Sequence, residues 1–422
     1  MARTKMNSFT TTDPEPAEQV DYKSIALLSA AHLCDDINQG VVPAMLPFFI
    51  AAYHLTYAAA AGLVLAQTLS SSVVQPLFGL LADRRSSPWL IPVGMSLAGL
   101  GVAVSGLAPT YALIFVSIAV SGFGISAFHP EAARRVRYLS GSRQATTMSL
   151  FTVGGMVGFA LGPLLITPTL MVLGTRGAVV LAIPVLIMAL VVTSNLHRLV
   201  AIEPSVRLRV SGRTIVEGDE RWGDFMRLTT VVMLRSIAFF GLNTFLPLYW
   251  TANLGGTKAG GGMALTALAT SVAIGTLIGG RLADRYGRKT VIAGSLGTTV
   301  PLLLMFLNSR IFVAAIMLVP VGVAVSAANS VVVVMGQDYL PNRVGLAAGV
   351  TLGLSMTVGG VLTPILGTVA DHYGLSTAMF LVALVPSLAF AMSLTLHETA
   401  GETVRVEMAA SALQSPSTTG GR

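Results

Sequence analysis

His32, Asp36, Gln39 and Pro43 follow one another at i, i+4, i+7 and i+11. On a helix that spacing lines them along one face. An imidazole, a carboxyl and a carboxamide on one face can take up a proton, hold it and pass it on. Their surroundings make this notable. They lie within SIALLSAAHLCDDINQGVVPAMLPFFI, Ser24 to Ile50, which is otherwise mostly apolar. At about 1.5 Å per residue, Asp36 sits roughly 18 Å into an apolar slab of roughly 30 Å. A carboxylate there costs at least ~2.5–3.5 kcal/mol. Asp36 is therefore expected to face a water-filled cavity and to carry a proton, with His32 beside it. Asp35 is turned by about 100° from Asp36. It is expected in a different environment, as a structural partner of a neighbouring helix. An interhelical hydrogen bond is the plainer alternative for either acid.

Other polar residues fall inside apolar stretches. Arg235 is the one Lys or Arg inside a span rather than at its end. It can bind an anionic substrate, pair with an acid across a cavity, or snorkel about 10 Å to the nearer surface. Gln39, Gln67, Gln75, Asn243 and Asn329 are further candidates for lining a substrate cavity. His129 and Glu131 close the fourth span. They either gate and relay protons or cap the helix end among Arg134, Arg135 and Arg137. Glycines 154, 155, 158 and 162 give the fifth span a small-residue face, and Pro163 bends it. Gly158, Gly162 and Pro163 serve as a hinge or as plain packing. No nucleophile triad, metal-ligand spacing or phosphate loop stands out. Neither an enzyme nor a metal or cofactor is expected, only the proton as coupling ion.

The elements that must hold these residues are membrane helices. Of 422 residues, 53% are hydrophobic and 11% charged, too little charge to cover a soluble protein of this size. Apolar runs fall near 24–50, 57–80, 88–107, 110–130, 145–172, 177–196, 228–250, 262–282, 290–307, 310–335, 346–370 and 375–396. The expected fold is an all-α polytopic membrane protein of twelve transmembrane helices in two pseudo-symmetric six-helix halves. Residues 1–22 are expected as a disordered cytoplasmic tail, 23–197 and 227–397 as the halves, 198–226 as a cytoplasmic linker and 398–422 as a second tail. With the N-terminus inside, 22 Lys and Arg lie in cytoplasmic segments, while only Arg176, Lys258 and Arg310 lie outside. That asymmetry orients both termini to the cytoplasm. The net charge of +7 is then a topology signal, and no nucleic-acid partner is expected. Cys34 is the single cysteine, so no disulfide forms within the chain.

The halves repeat. Leu46–Pro47 recurs at Leu246–Pro247 (247 − 47 = 200), GLLAD at Gly79–Asp83 as GRLAD at Gly280–Asp284 (280 − 79 = 201), and TVGG at Thr152–Gly155 at Thr357–Gly360 (357 − 152 = 205). Gly122 matches Gly322, Arg143 matches Arg343, and Arg235 stands where Asp35 stands in the first copy. Such halves pack about an axis along the membrane normal, with the substrate site between them.

The turn GRLADRYGRK, Gly280 to Lys289, resembles the signature of the major facilitator superfamily. Gly79, Asp83, Arg84, Gly280, Asp284, Arg285, Gly287 and Arg288 then belong to gating turns. The first copy has Ser86 and Ser87 where Gly and a basic residue are usual. GTVAD at Gly367–Asp371 falls on the outer side and is set aside. Gly122, Gly124 and Pro130 resemble a further signature of the superfamily, with Ile118 where an Arg is normal. HLCDDINQGVVPAMLP, QPLFGLLADRRSSPWLIPVGM and FHPEAARR together resemble one branch, the fosmidomycin-resistance-type exporters of bacteria. The resemblance implies proton-driven efflux of small drug-like or anionic amphiphilic compounds by a monomer in the bacterial cytoplasmic membrane. A symporter or facilitator importing a small metabolite is the alternative.

Overall fold

The computed structural model describes residues 20–84, 87–140, 144–201, 220–351 and 355–399. Most of the expected tails and of the linker, with Arg85 and Arg143, lie outside them. Among the described residues there is no strand. The helices are α1 (Tyr22–Tyr53), α2 (Tyr57–Arg84), α3 (Leu90–Ser105), α4 (Tyr111–Leu139), α5 (Gln144–Leu173), α6 (Ala182–Ser194) and α7 (Leu196–Ala201). After the linker come α8 (Trp222–Ala252), α9 (Lys258–Tyr286), α10 (Arg288–Leu307), α11 (Ile311–Ser326), α12 (Asn329–Tyr339), α13 (Val344–Gly349), α14 (Ser355–Tyr373) and α15 (Leu375–Ser393).

Eight helical stretches among the described residues are long and apolar enough to cross a membrane. The 48-residue stretch Thr147–Ser194 holds two crossings, because it breaks at Gly174, φ +61°, into the 3-10 turns of Gly174–Leu181. With α1, α3 and α14 the count is twelve. The fourth span runs to Leu139, nine residues past its expected end (139 − 130 = 9). The tenth is split into α11 and α12 by Ala327 and Ala328.

Local chemistry fixes the ends. Asp21 caps α1: its carboxylate accepts from the amides of Lys23 and Ser24, both at 3.1 Å, and from Ser24 Oγ at 2.6 Å. Partial burial pushes the Asp21 carboxyl up, but the Ser24 and Lys23 hydrogen bonds outweigh it and hold the group below the usual carboxylate range. Thr110 and Thr257 cap α4 and α9 in the same way. His54, left-handed at φ 52°, ends α1.

Small residues let the helices close on one another. A side chain at Gly154, Gly158 or Gly162 of α5 would strike the α1 backbone at Ser29, Leu33 or Gly40. The halves meet where α2 packs on α14 and α5 on α9, with α1 against α8. Shifting either of the first two pairs by the 200-residue repeat gives the other, as a pseudo-two-fold axis requires. One apolar core takes residues from both halves, including Val41, Phe49 and Leu63 with Phe245, Leu265 and Leu366. It fills the end of the bundle away from the start of α1. Nearer that start the core divides. Ile25, Phe128 and Phe151 belong to a cluster of the first half alone, and Phe225, Ile292 and Tyr339 to one of the second. Among the described residues, the halves are therefore joined at the far end and separate at the near end.

Candidate functional site

Half-way along α1 the chain brings together residues from three helices. His32 and Asp36 lie one turn apart, with His32 Nε2 3.2 Å from Asp36 Oδ2. From α4 comes His129, its Nε2 3.3 Å from Asp36 Oδ1 and 3.2 Å from His32 Nε2. Gln39 donates to Asp36 Oδ1 at 2.9 Å. From α5, the Phe151 carbonyl lies 2.7 Å from His32 Nδ1, and its ring stacks on His32 at 4.1 Å. A carbonyl only accepts, so His32 Nδ1 carries a hydrogen. The same holds for His129 Nδ1, 2.9 Å from its own helix's Ile125 carbonyl. Both Nε2 atoms are thereby turned toward the Asp36 carboxyl. Two bare nitrogens and a carboxylate at these distances would face one another lone pair to lone pair. The group is complete only with a proton or another cation among the three. Asp36 and His129 keep 14% and 21% of their side-chain surface exposed.

Two expectations change here. His129 does not end the fourth span. With α4 continuing to Leu139, His129 lies ten residues, about 15 Å, inside the helix, level with His32. Nor are the two acids separated. Asp35 is fully buried, yet its Oδ2 lies 3.7 Å from His129 Nδ1, so one ring stands against both acids. Their 100° offset places them on either side of a residue from another helix. Neither Asp35 oxygen has a hydrogen-bond donor among the described residues. A buried carboxylate without a donor costs several kcal/mol, so Asp35 depends on the nearby imidazole or on its own proton. Glu131 points away from His129. It is buried in an ion pair with Arg135, whose Nε donates at 2.8 Å, and Arg135 also holds the Leu199 carbonyl.

The remaining candidates are spread through the bundle. Gln67 donates to the Asn38 carbonyl at 2.8 Å and ties α2 to α1. Gln75 is half-buried on α2, and Asn243 is buried on α8. Arg235 donates to Asn329 Oδ1 and, at 3.3 Å, to the Val325 carbonyl, while Asn329 donates to Thr276 at 3.1 Å. Arg235 is thus held within its own half, with no acid paired to it among the described residues, and its Nε has no acceptor. Gly162 meets α1 at Ile37 and Gly40, with Pro163 beside it in α5.

In the gating turns, Gly79 faces Pro130 and Gly280 faces Ser330. Asp83 and Arg84 end α2, their side chains outside the described set. Asp284 and Arg285 are exposed, and Gly287 turns the chain at φ +89°. Arg288 pairs with Asp338 of α12 and donates to Thr399 at 2.9 Å. Glu398 accepts from the amides of Arg288 and Lys289 at 2.8 and 3.0 Å.

Sequence reasoning passed over several of these partners. In the sequence Gly155 reads only as one of four small residues. A side chain there would lie 2.5 Å from both Asp36 Oδ2 and His32 Nε2, so the site exists because that position is bare. Its recurrence in the TVGG repeat was the available signal. Asp371, set aside with GTVAD, accepts from the amides of Tyr57 and Ala58 at 2.7 and 3.0 Å. It caps α2 from the other half. Asp338 and Glu398 carried no signal beyond being acids near helix ends.

The sequence model of the Major Facilitator Superfamily matches residues 28–215 and 228–418. The fosmidomycin resistance protein of Escherichia coli (strain K12) is 28% identical over 367 residues, 86% of this chain and 90% of that protein. An uncharacterized MFS-type transporter of Bacillus subtilis (strain 168), YfnC, is 27% identical over 87% of this chain and 91% of its own. Among solved structures, a bacterial homologue of the human lysosomal transporter Spinster, in its inward-facing and occupied conformation, superposes with a TM-score of 0.74 at 15% identity. It covers 89% of this chain and 97% of its own. The nucleoside transporter NupG gives 0.75 at 14% identity, over 89% and 99%. Twelve spans, two repeated halves and these matches agree, and the chain belongs to the major facilitator superfamily: it is a membrane-embedded transporter of small molecules, not an enzyme.

Proposed function

We propose that the protein exports small drug-like or anionic amphiphilic compounds in exchange for protons, by alternating access. The observation that carries the coupling is the convergence of His32, Asp36 and His129 on atoms that need a shared proton, at mid-depth in an apolar bundle. Three ionisable groups at that depth are costly unless they work. Asp36 is the central carrier, because both imidazoles and Gln39 address its carboxyl. Asp35, behind His129, senses the charge on that ring. The similarity to a fosmidomycin resistance protein supports export of an antibiotic-like compound, and Arg235, a cation with an unused Nε–H, is suited to an anionic one. The separated near end favours a cavity open on the side of the termini. The charge asymmetry of the loops supports that side being the cytoplasmic one, in a bacterial cell. The protein works as a monomer, since each monomer contains both halves.

In this reading, loading His32, Asp36 and His129 with protons favours one arrangement of the halves, and substrate binding favours the other. The test is transport in proteoliposomes with an imposed pH gradient, offering phosphonate antibiotics and other amphiphiles. Substrate addition should release protons, and Asp36→Asn should abolish gradient-driven transport. Unchanged proton dependence in Asp36→Asn sinks the coupling role. Accumulation driven in the direction of the proton would replace export by symport.

A further inference from the structure

We propose that His32, Asp36 and His129 form a binding site for a divalent first-row transition-metal ion of the zinc class. The three side chains offer ligand atoms that all lie within 4.8 Å of one another. The separations are tighter than that. The two Nε2 atoms are 3.2 Å apart, and the carboxylate offers one oxygen to each ring, at 3.2 and 3.3 Å. Zinc holds His nitrogen and carboxylate oxygen at about 2.0–2.1 Å in a tetrahedron, whose edges are then about 3.3 Å. The two Nε2 atoms stand one such edge apart, and each lies one such edge from a different oxygen of the same carboxylate. Two imidazoles favour such an ion over calcium or magnesium, which prefer oxygen.

The surrounding shell is also that of a metal site. Metal-binding histidines nearly always donate their other ring N–H to a carbonyl or carboxylate, which fixes the ring. Both histidines do so, to Phe151 and Ile125, and this leaves each Nε2 pointing inward. Gln39 orients the carboxylate as an outer partner. Asp35, buried 3.7 Å from His129, adds negative charge behind the site. Asp36 and His129 each keep part of their side-chain surface exposed beside the three ligand atoms. Gly155 supplies clearance on the α5 side. Metal and proton would occupy the same atoms, so a bound ion stalls the exchange cycle. That consequence, unlike the site itself, rests on the exporter reading.

The test uses the full chain in lipid nanodiscs, stripped with a chelator. Zn²⁺ is titrated by calorimetry and Co²⁺ by visible absorption. The expected result is one ion per chain, with Co²⁺ bands of a four-coordinate nitrogen–oxygen site that Zn²⁺ bleaches. His32→Gln, His129→Gln and Asp36→Asn should each weaken binding more than about 100-fold, and Gln39→Ala about 10-fold. The wild-type measurement does not depend on any variant folding. No uptake of either ion by the wild type overturns the site, and so does binding that all four variants leave unchanged. A separate transport arm with added Zn²⁺ tells the two readings apart. Reversible inhibition supports both. Stoichiometric binding through these residues with unimpaired transport keeps the metal site and removes the coupling role of the same atoms.

Discussion

At the scale of the residue, the candidate site works by crowding. Two imidazoles and a glutamine address one carboxyl, and a glycine leaves them the space. Gly155→Ala tests this directly. Its new methyl group would lie 2.5 Å from Asp36 Oδ2 and His32 Nε2, closer than real contacts allow. Overpacking of this kind costs about 1–3 kcal/mol. The expected outcome is a folded protein of lower thermal stability, with proton-driven transport lost and binding of an unprotonated ligand less affected. Wild-type transport in Gly155→Ala would show that the cluster is not the coupling site. Arg235 gives a second prediction at this scale. Arg235→Lys keeps the charge but loses the planar guanidinium, whose Nη1 donates to both Asn329 and the Val325 carbonyl and whose Nε–H is unused. If the residue receives anionic substrate, Arg235→Lys should raise the KM for anions severalfold and leave neutral amphiphiles unchanged. An equal effect on both classes would reduce Arg235 to a structural anchor.

At the scale of the element, helix ends set which residues reach the same depth. The Asp21 cap starts α1 at Tyr22, which places Asp36 fourteen residues, about 21 Å, along it. Asp21→Ala should cost about 1 kcal/mol and fray the first turn, seen as faster hydrogen exchange at Lys23 and Ser24. The sign of the pH effect follows from the lowered pKa of this group. Its cap is fully formed above the unfolded carboxylate value of about 3.9 and is lost as the pH falls below it. Protection of those amides should therefore fall on acidification in the wild type and stay flat in Asp21→Ala. The other end of this argument is α4. An apolar run drawn to residue 130 stops where FHPEAARR brings charge, yet the helix carries those charges to Leu139. Glu131 and Arg135, four residues apart, neutralise each other on the way. That pairing is what allows His129 to sit deep.

At the scale of the whole molecule, two halves share one core at the far end, and a carboxylate fastens them there. Asp371 of α14 caps α2 across the interface, beside Gly367, which lets Ala58 approach. Removing a cap of this kind costs about 1 kcal/mol, a factor of about five in a two-state equilibrium. Asp371→Ala should therefore shift the population toward a state open at the far end, read as longer distances between spin labels on α2 and α14. Unchanged distances would mean that the apolar core alone holds this end closed. The cytoplasmic-type turn in the second half is tied instead within that half, by Arg288 to Asp338 and by Glu398 to the start of α10. The far-end fastening crosses the interface; these near-end ties do not.

Much of this was legible in the chain itself. Apolar runs of spanning length, a duplication offset by about 200 residues and a lopsided distribution of Arg are local or additive signals. They fix the spans, the two halves and the family. The carboxyl of Asp36 was legible for the same reason, since its cost depends on how deep it lies in its own helix. The partners of that carboxyl were not. His129 is 97 residues away from His32, and its place depends on how far α4 runs and how it is rotated against α1. Gly155 matters only because α5 presses on α1 at that level, and Asp371 only because the far end is closed. Depth, rotation and closure arise from packing between helices, which no spacing along one helix encodes. The sequence by itself determined that an ionisable carboxyl stands inside a two-halved bundle. Only the tertiary structure decided which groups share it.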